Sequence, residues 1–433
     1  MKKTSIVCAA AALAAAGVLT TAARANAQAA CSSYPNPVYI AGSTASKPVW
    51  AALSQADGIK GEISLIYAGP SSCVGLDDVT LGTGETTTAY LMDGTSLGTQ
   101  CTPATGGDTI QIGVSDVFAS TCEPAVAVPS GFADFRGPVQ VMGMAVPYNS
   151  MQSSISADAA YTVFGWGGTQ YPVATWTNYQ SIFIRNYTSG TQLMIGSAIG
   201  LAATKWLSQT PDAGPQELSS SGKVLGALQS AAAGSNSSQA IGILAANYID
   251  QYRGPVGTTD AGAYTGGLKI LAYQAADQSC GYLPDSDATH LDKINVRQGR
   301  YDIWGQLHVI TAVDGSGTPT NAQAATLINY LTASTTLTPA QLQTVIQADA
   351  LAYVIPQCAM QVSRSAEVTP AAGGGMASYQ PPVGCGCYYE SLVNGGTPYS
   401  KYCQACSADA GTNGAGSCPS SYPKCNFGFC EVQ

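Results

Sequence analysis

Charge is what this sequence has least of. Of 433 residues only 10% are Asp, Glu, Lys or Arg, against about a quarter in an ordinary soluble domain. The balance is acidic, with a formal net charge of −9. That excludes the basic stripes on which a nucleic-acid binder depends. Histidine is scarcer still, with only His290 and His308 in the chain. No His pair stands at metal-ligating spacing, and no convincing base is on offer for a Ser-His-Asp triad. His308 sits in the strand-like WGQLHVI and is expected in the core or at a sheet edge. A Gly-x-Ser-x-Gly pattern occurs at Gly94, Ser96 and Gly98. It lacks the following helix that a nucleophile elbow requires, and 48 glycines make a chance match easy. A P-loop pattern and internal repeats are absent too. The chain is therefore not expected to be an enzyme, nor to need a cofactor or a metal.

What replaces charge is Ser, Thr, Gly, Ala, Asn and Gln, a composition common in exported proteins. Apolar residues make up 45%, enough for a sizeable core, and the length allows two or three domains. Residues 1–29 resemble a cleaved secretory signal: Lys2 and Lys3, an apolar stretch over 5–20, then small-residue sites at ANA and AQA. The apolar stretch is short for a bilayer span. Fourteen cysteines fit an oxidising compartment, periplasmic or extracellular. With Cys8 removed alongside the signal the remainder is odd, so one thiol is expected to be free or to pair with another molecule. Cys31 follows the cleavage region closely, which leaves lipidation there open.

Seven cysteines crowd into 385–430, after the Gly/Pro/Ala-rich stretch 367–384. That stretch reads as a linker, and 385–433 as a small module stapled by disulfides rather than a zinc site. Its aromatic residues are expected to pack on the disulfides. Ahead of it, strand-like and helix-like segments alternate. PVYIAG (37–42), EISLIYAG (62–69), DTIQIGVSDVF (108–118), QVMGMAVPYN (140–149), SIFIRNY (181–187) and RYDIWGQLHVITAV (300–313) are strand-like. STASKPVWAALSQA, the run from Ser189, and TPAQLQTVIQADALAYVI (338–355) are helix-like. QAIGILAANYI (239–249) is either a strand and a helical turn or a buried helix. The alternation predicts an α/β fold with mainly parallel sheets, in two lobes: 31–125 with 300–366, and 126–299.

Polar knots close these strands: Gly42-Ser43-Thr44, Gly69-Pro70-Ser71-Ser72, Ser115-Asp116, and Arg185 followed by Ser189-Gly190-Thr191. Each alone reads as a helix cap. Together they lie where α/β sheets bind ligands, beyond the strands' carboxyl ends. Helix N-termini and an arginine fork there suit an oxyanion.

At these residues the sequence resembles the solute-binding proteins of bacterial phosphate ABC transporters. The resemblance is carried by IAGSTASKPVWAAL (40–53), IYAGPSSCVG (66–75), IGVSDVF (112–118) and IRNYTSGTQ (184–192), supported by QAIGILAANYI. It spans about 35–360 and implies a two-lobed periplasmic-binding fold closing about a hinge. It implies that Thr44, Ala45 and Ser71 donate from one lobe and Arg185, Ser189, Gly190 and Thr191 from the other. Asp116 would accept a hydrogen bond from the protonated oxygen that phosphate carries and sulfate lacks. The partners implied are phosphate or a related tetrahedral oxyanion and the membrane permease of an ABC transporter. The chain departs from the family at Tyr187, where an acidic residue commonly holds the arginine, in an insertion containing Cys101, and in its cysteine-rich tail. The competing expectation is an exported binding or adhesion protein that reuses the scaffold, with the tail as the recognition or anchoring element.

Overall fold

The computed structural model describes residues 28–95, 97–167, 171–206, 216–235, 237–260, 262–407 and 418–431. Ser96 and the signal-like residues 1–27 lie outside them. Eleven strands form one sheet: β1 (Pro37–Gly42), β2 (Ser64–Ala68), β3 (Ala89–Leu91), β4 (Thr99–Cys101), β5 (Ile112–Ser115), β6 (Phe132–Pro147), β7 (Ile182–Ile184), β8 (Gln216–Glu217), β9 (Ile241–Ala245), β10 (Leu268–Ile270) and β11 (Trp304–Ala312). Its order is β8-β7-β9-β6-β11-β5-β1-β2-β3-β4, with β10 also on β6. The helices are α1 (Lys47–Leu53), α2 (Ser72–Leu81), α3 (Ala157–Trp166), α4 (Gly190–Ile199), α5 (Ser221–Ala233), α6 (Ala246–Gln251), α7 (Ile294–Arg297), α8 (Ala322–Leu331), α9 (Pro339–Leu351) and α10 (Gly386–Val393).

The architecture is α/β in two lobes. In the first, β1 pairs in parallel with β2 and β5. In the second, β7 pairs in parallel with β8 and β9. Two longer strands join them. Residues 132–141 of β6 run antiparallel to β11, and residues 142–147 run antiparallel to β9 and β10. Strand β11 in turn pairs antiparallel with β5. The expectation of mainly parallel sheets is thus corrected to a mixed sheet. The physical reason is that β6 is buried along nearly its whole second half. A fully buried strand is apolar on both faces whichever way it runs, so its sequence does not betray direction.

Local chemistry accounts for the helix boundaries. Thr338 and Gln341 form a capping box at the start of α9, with Pro339 in its first turn. Ser156, Ser220 and Asn321 cap α3, α5 and α8 through their side chains. Gly82, Gly167 and Gly200 close α2, α3 and α4 in the left-handed region. Helix α2 holds a glycine for a different reason. A Cβ on Gly75 would fall 2.4 Å from the Ala41 oxygen and 2.4 Å from the Gly42 Cα, so α2 lies directly on the β1 backbone. Gly75→Ala is therefore expected to cost about 1–3 kcal/mol. A thermal melt with an unchanged midpoint would show that α2 is not seated there.

Nucleophile chemistry at the Gly-x-Ser-x-Gly pattern finds no support in its flanks. Asp93 accepts from the Thr95 amide and hydroxyl and from the Thr99 hydroxyl, and the chain then enters β4, which pairs antiparallel with β3. This is a hairpin, not a strand-to-helix elbow. His308 is buried within β11, held by Asp134 at 2.8 Å and beside Arg136. Burial lowers its pKa.

Six disulfides form: Cys31–Cys101, Cys73–Cys122, Cys358–Cys385, Cys387–Cys403, Cys406–Cys425 and Cys418–Cys430. They suit an oxidising compartment. Cys280 is left free and exposed. The Cys31 sulfur is engaged with Cys101, so no thiol remains there for a lipid. Cys406, Cys418 and Cys430 cluster closely, yet each is spent in a disulfide and offers no thiolate to a metal.

The tail lies on the body. Tyr388 and Tyr389 of α10 are buried, and Gln343 and Gln347 of α9 donate to the Tyr388 hydroxyl. Residues 377–378 pair with 362–363, Val368 is buried, and Cys358–Cys385 closes over the stretch between. Arg297 and Glu390 form an ion pair at 2.8 Å with almost no exposure of either side chain.

Candidate anion site

The carboxyl ends of β1, β2 and β5 share one edge of the first lobe, because the three strands are parallel. The ends of β7 and β9 share the facing edge of the second. Three helices begin in the space between: α2 after Ser71, α4 after Ser189 and α5 after Ser220. Their N-termini bring N–H groups that lack intrahelical partners and the positive ends of their dipoles to one place, with the Gly190 and Ser221 amides bonded to the Ser72 and Thr44 hydroxyls.

Asp116 follows β5 and is 1% exposed. The Ser43 hydroxyl and, at 3.3 Å, the Ser72 hydroxyl both donate to its Oδ2. Oδ1 has no hydrogen-bond partner. Burial pushes the carboxyl up to about 6, while Ser43, Arg185 and Ser72 pull it back. Ser72 Oγ also accepts from the Gly190 amide at 3.2 Å, which ties the start of α2 to the start of α4. Gly190 is required by this approach: a Cβ there would come within 2.5 Å of Ser72 Oγ and 2.9 Å of Asp116 Oδ2.

Arg185 leaves β7 and is 2% exposed. Its Nε donates to the Leu218 carbonyl at 3.0 Å and its Nη2 to the Ser219 carbonyl at 3.2 Å. These carbonyls hold the guanidinium in place of an acid at position 187, and Tyr187 is exposed. Nη1 crosses to the other lobe, 3.1 Å from Thr44 Oγ1, and also meets Ser221 Oγ at 3.1 Å. Burial lowers its pKa to about 10, opposed chiefly by Asp116, so it stays a cation at neutral pH.

The residues expected from the sequence are brought together here, in unequal roles. Thr44, Asp116, Arg185 and Gly190 line the seam between the lobes. Ser189 caps α4 by position without a side-chain bond. Thr191 Oγ1 is buried and unpartnered. The Ala45 amide is already engaged with Ser43 Oγ at 3.0 Å, and its carbonyl accepts from Asn247 at 3.0 Å. Ser71 turns to Thr188 Oγ1 at 2.9 Å, and its neighbour Ser72 takes the place beside Asp116. Sequence reasoning missed Ser221, whose amide donates to Thr44 Oγ1 at 3.2 Å, and Tyr248, whose hydroxyl donates to the Thr44 carbonyl at 3.0 Å. The serine triplet 219–221 before Val224, Leu225 and Leu228 is an N-cap signal that would have marked Ser221.

No protein-family model matches the sequence, and no curated protein matches it. Solved structures do. A candidate phosphate ABC transporter substrate-binding protein from Clostridium perfringens, with phosphate bound, is 12% identical, with 74% of this chain and 99% of that one covered and a TM-score of 0.45. An ABC-type phosphate transport receptor from Vibrio cholerae is 12% identical over 73% of this chain and 99% of that one, with a TM-score of 0.42. The OxyR regulatory domain from Pseudomonas aeruginosa is 8% identical over 68% of this chain and 95% of that one, with a TM-score of 0.34.

Proposed function

We propose that this chain is a solute-binding protein that takes phosphate, or a similar tetrahedral oxyanion, between its two lobes. The observation that carries this is the buried Asp116 carboxylate, with Oδ1 unpartnered, set beside a buried guanidinium and three helix N-termini. Arg185 and the helix ends supply positive potential and donors. Asp116 supplies the discrimination. An ionised carboxylate repels an anion unless that anion donates a hydrogen bond to it. Phosphate still carries a proton at neutral pH, and sulfate does not. In the present arrangement Thr44 and Ser221 occupy the guanidinium, so ligand entry would exchange these hydroxyls for anion oxygens as the lobes part about β6 and β11. Delivery to the permease of an ABC transporter is the role such a protein would serve.

Calorimetric titration of the ligand-stripped protein at neutral pH is expected to show phosphate bound at least ~100-fold more tightly than sulfate. Asp116→Asn should narrow that ratio by raising the affinity for sulfate. The same follows from pH. As pH falls through about 6, Asp116 gains a proton, becomes a donor, and stops repelling sulfate, so selectivity declines on the acid side. Equal affinity for the two anions at pH 7.5, or heat from neither in a folded sample, would overturn the reading.

A further inference from the structure

Where the cysteine-rich tail meets the body it leaves a cavity of about 500 Å³, within the range of small-molecule sites. One charged group in its wall is buried as a residue, with one nitrogen left to the cavity side. Arg297 is 1% exposed. Its Nε donates to the Ala359 carbonyl at 2.8 Å, and its Nη1 to Glu390 Oε1 at 2.8 Å and weakly to the Asp292 carbonyl at 3.4 Å. Nη2 donates to none of the described residues. Glu431 lies across from it. Glu431 Oε1 caps α10, accepting from the Cys387 amide at 2.7 Å and the Tyr388 amide at 3.4 Å, and Oε2 accepts from none of the described residues. Both free atoms meet over Gly386, which also lines the cavity: a Cβ there would be 2.4 Å from Nη2 and 3.6 Å from Oε2. The two side chains do not pair with one another.

A ligand completing this wall must accept at Nη2 and donate at Oε2. A carboxylate satisfies only the arginine, whose charge Glu390 already balances, and it is repelled by Glu431. An ammonium satisfies only the glutamate. A hydroxyl does both, since it accepts and donates. The rest of the cavity extends the same chemistry. Tyr402 and Tyr422, stacked with ring centroids 5.5 Å apart, give an apolar wall for the C–H face of a ring. Gln298 and Gln361, also on the lining, bring side-chain amides that make no hydrogen bond to the described residues and can both give and take.

We propose that this cavity binds a saccharide, with hydroxyls bridging Arg297 Nη2 and Glu431 Oε2 and the sugar ring lying against Tyr422. The site is separate from the anion seat, and its fate does not depend on that reading.

The test uses the full chain with its disulfides intact. Glucose, galactose, N-acetylglucosamine, maltose, cellobiose and chitobiose are titrated by saturation-transfer NMR, beside glycine and acetate as charged controls. At least one sugar is expected to bind. Tyr422→Ala and Glu431→Gln should each weaken it at least ~10-fold, while phosphate titration stays unchanged in both. Arg297 is left intact because its loss strands Glu390. No binding of any of the six sugars up to ~50 mM would overturn the proposal. Sugar binding untouched by both substitutions, or glycine or acetate displacing the sugar, would overturn it too.

Discussion

Arg185→Ala is expected to weaken phosphate binding at least ~100-fold, in line with the 2–5 kcal/mol typical of truncating one side of a buried charged contact. The guanidinium is buried and is aimed by the Leu218 and Ser219 carbonyls, so little rearrangement is needed to present it to an anion. Its removal also takes away the positive charge that holds the Asp116 carboxyl down, leaving a seat more hostile to anions. Arg185→Lys should recover only part of the loss, since an ammonium cannot reproduce the planar fork. The measurement is a phosphate titration of each variant, with circular dichroism and a melt to confirm folding. A folded Arg185→Ala protein that binds phosphate within about threefold of the parent would mean that Arg185 only ties Thr44 to Ser221.

Arg297→Ala should be the most destabilising single change in the tail interface, at about 3–5 kcal/mol. It leaves Glu390, which has no exposed surface, with a buried charge answered, among the described residues, by the Ser400 amide and hydroxyl and, weakly, by the Tyr402 hydroxyl. Replacing both residues, Arg297→Met with Glu390→Leu, should restore most of the stability, because an apolar pair of similar volume avoids the desolvation that the ion pair must overcome. Denaturant unfolding of the single and double variants, disulfides intact, decides this. A double variant as unstable as Arg297→Ala would show that the cost lies in lost packing rather than in the unpaired charge.

Several elements were legible because their signal is local. The apolar runs ending in Gly, Ser or Thr marked β1, β2 and β7, and Thr338-Pro339 marked α9. Helix α2 was not legible: SCVGLDDVTL carries a glycine and β-branched residues, and Gly75 is there for contact with β1, not for helix propensity. The tail's spacer-like composition hid a docked arrangement, because the residues that hold it, Arg297 and Glu390, are distant in sequence and ordinary in type. In the candidate site the arginine, the aspartate and the Gly190 knot stood out. Ser221 did not, and within the Ser71-Ser72 knot the role went to the wrong serine, since a serine that caps a helix and one that reaches across a cleft are the same letter in the same local context.

The sequence by itself determined the α/β class, the positions of polar knots at strand ends, and an odd number of cysteines beyond residue 30. All of these are read within a few residues. Only the tertiary structure decided the direction of β6 and β11, the disulfide partners whose Cα atoms it brings to between 5.0 and 5.9 Å, and the meeting of three helix N-termini around Asp116 and Arg185. Those depend on strand order and strand direction, which couple residues far apart in the chain and leave no periodic trace in any one segment.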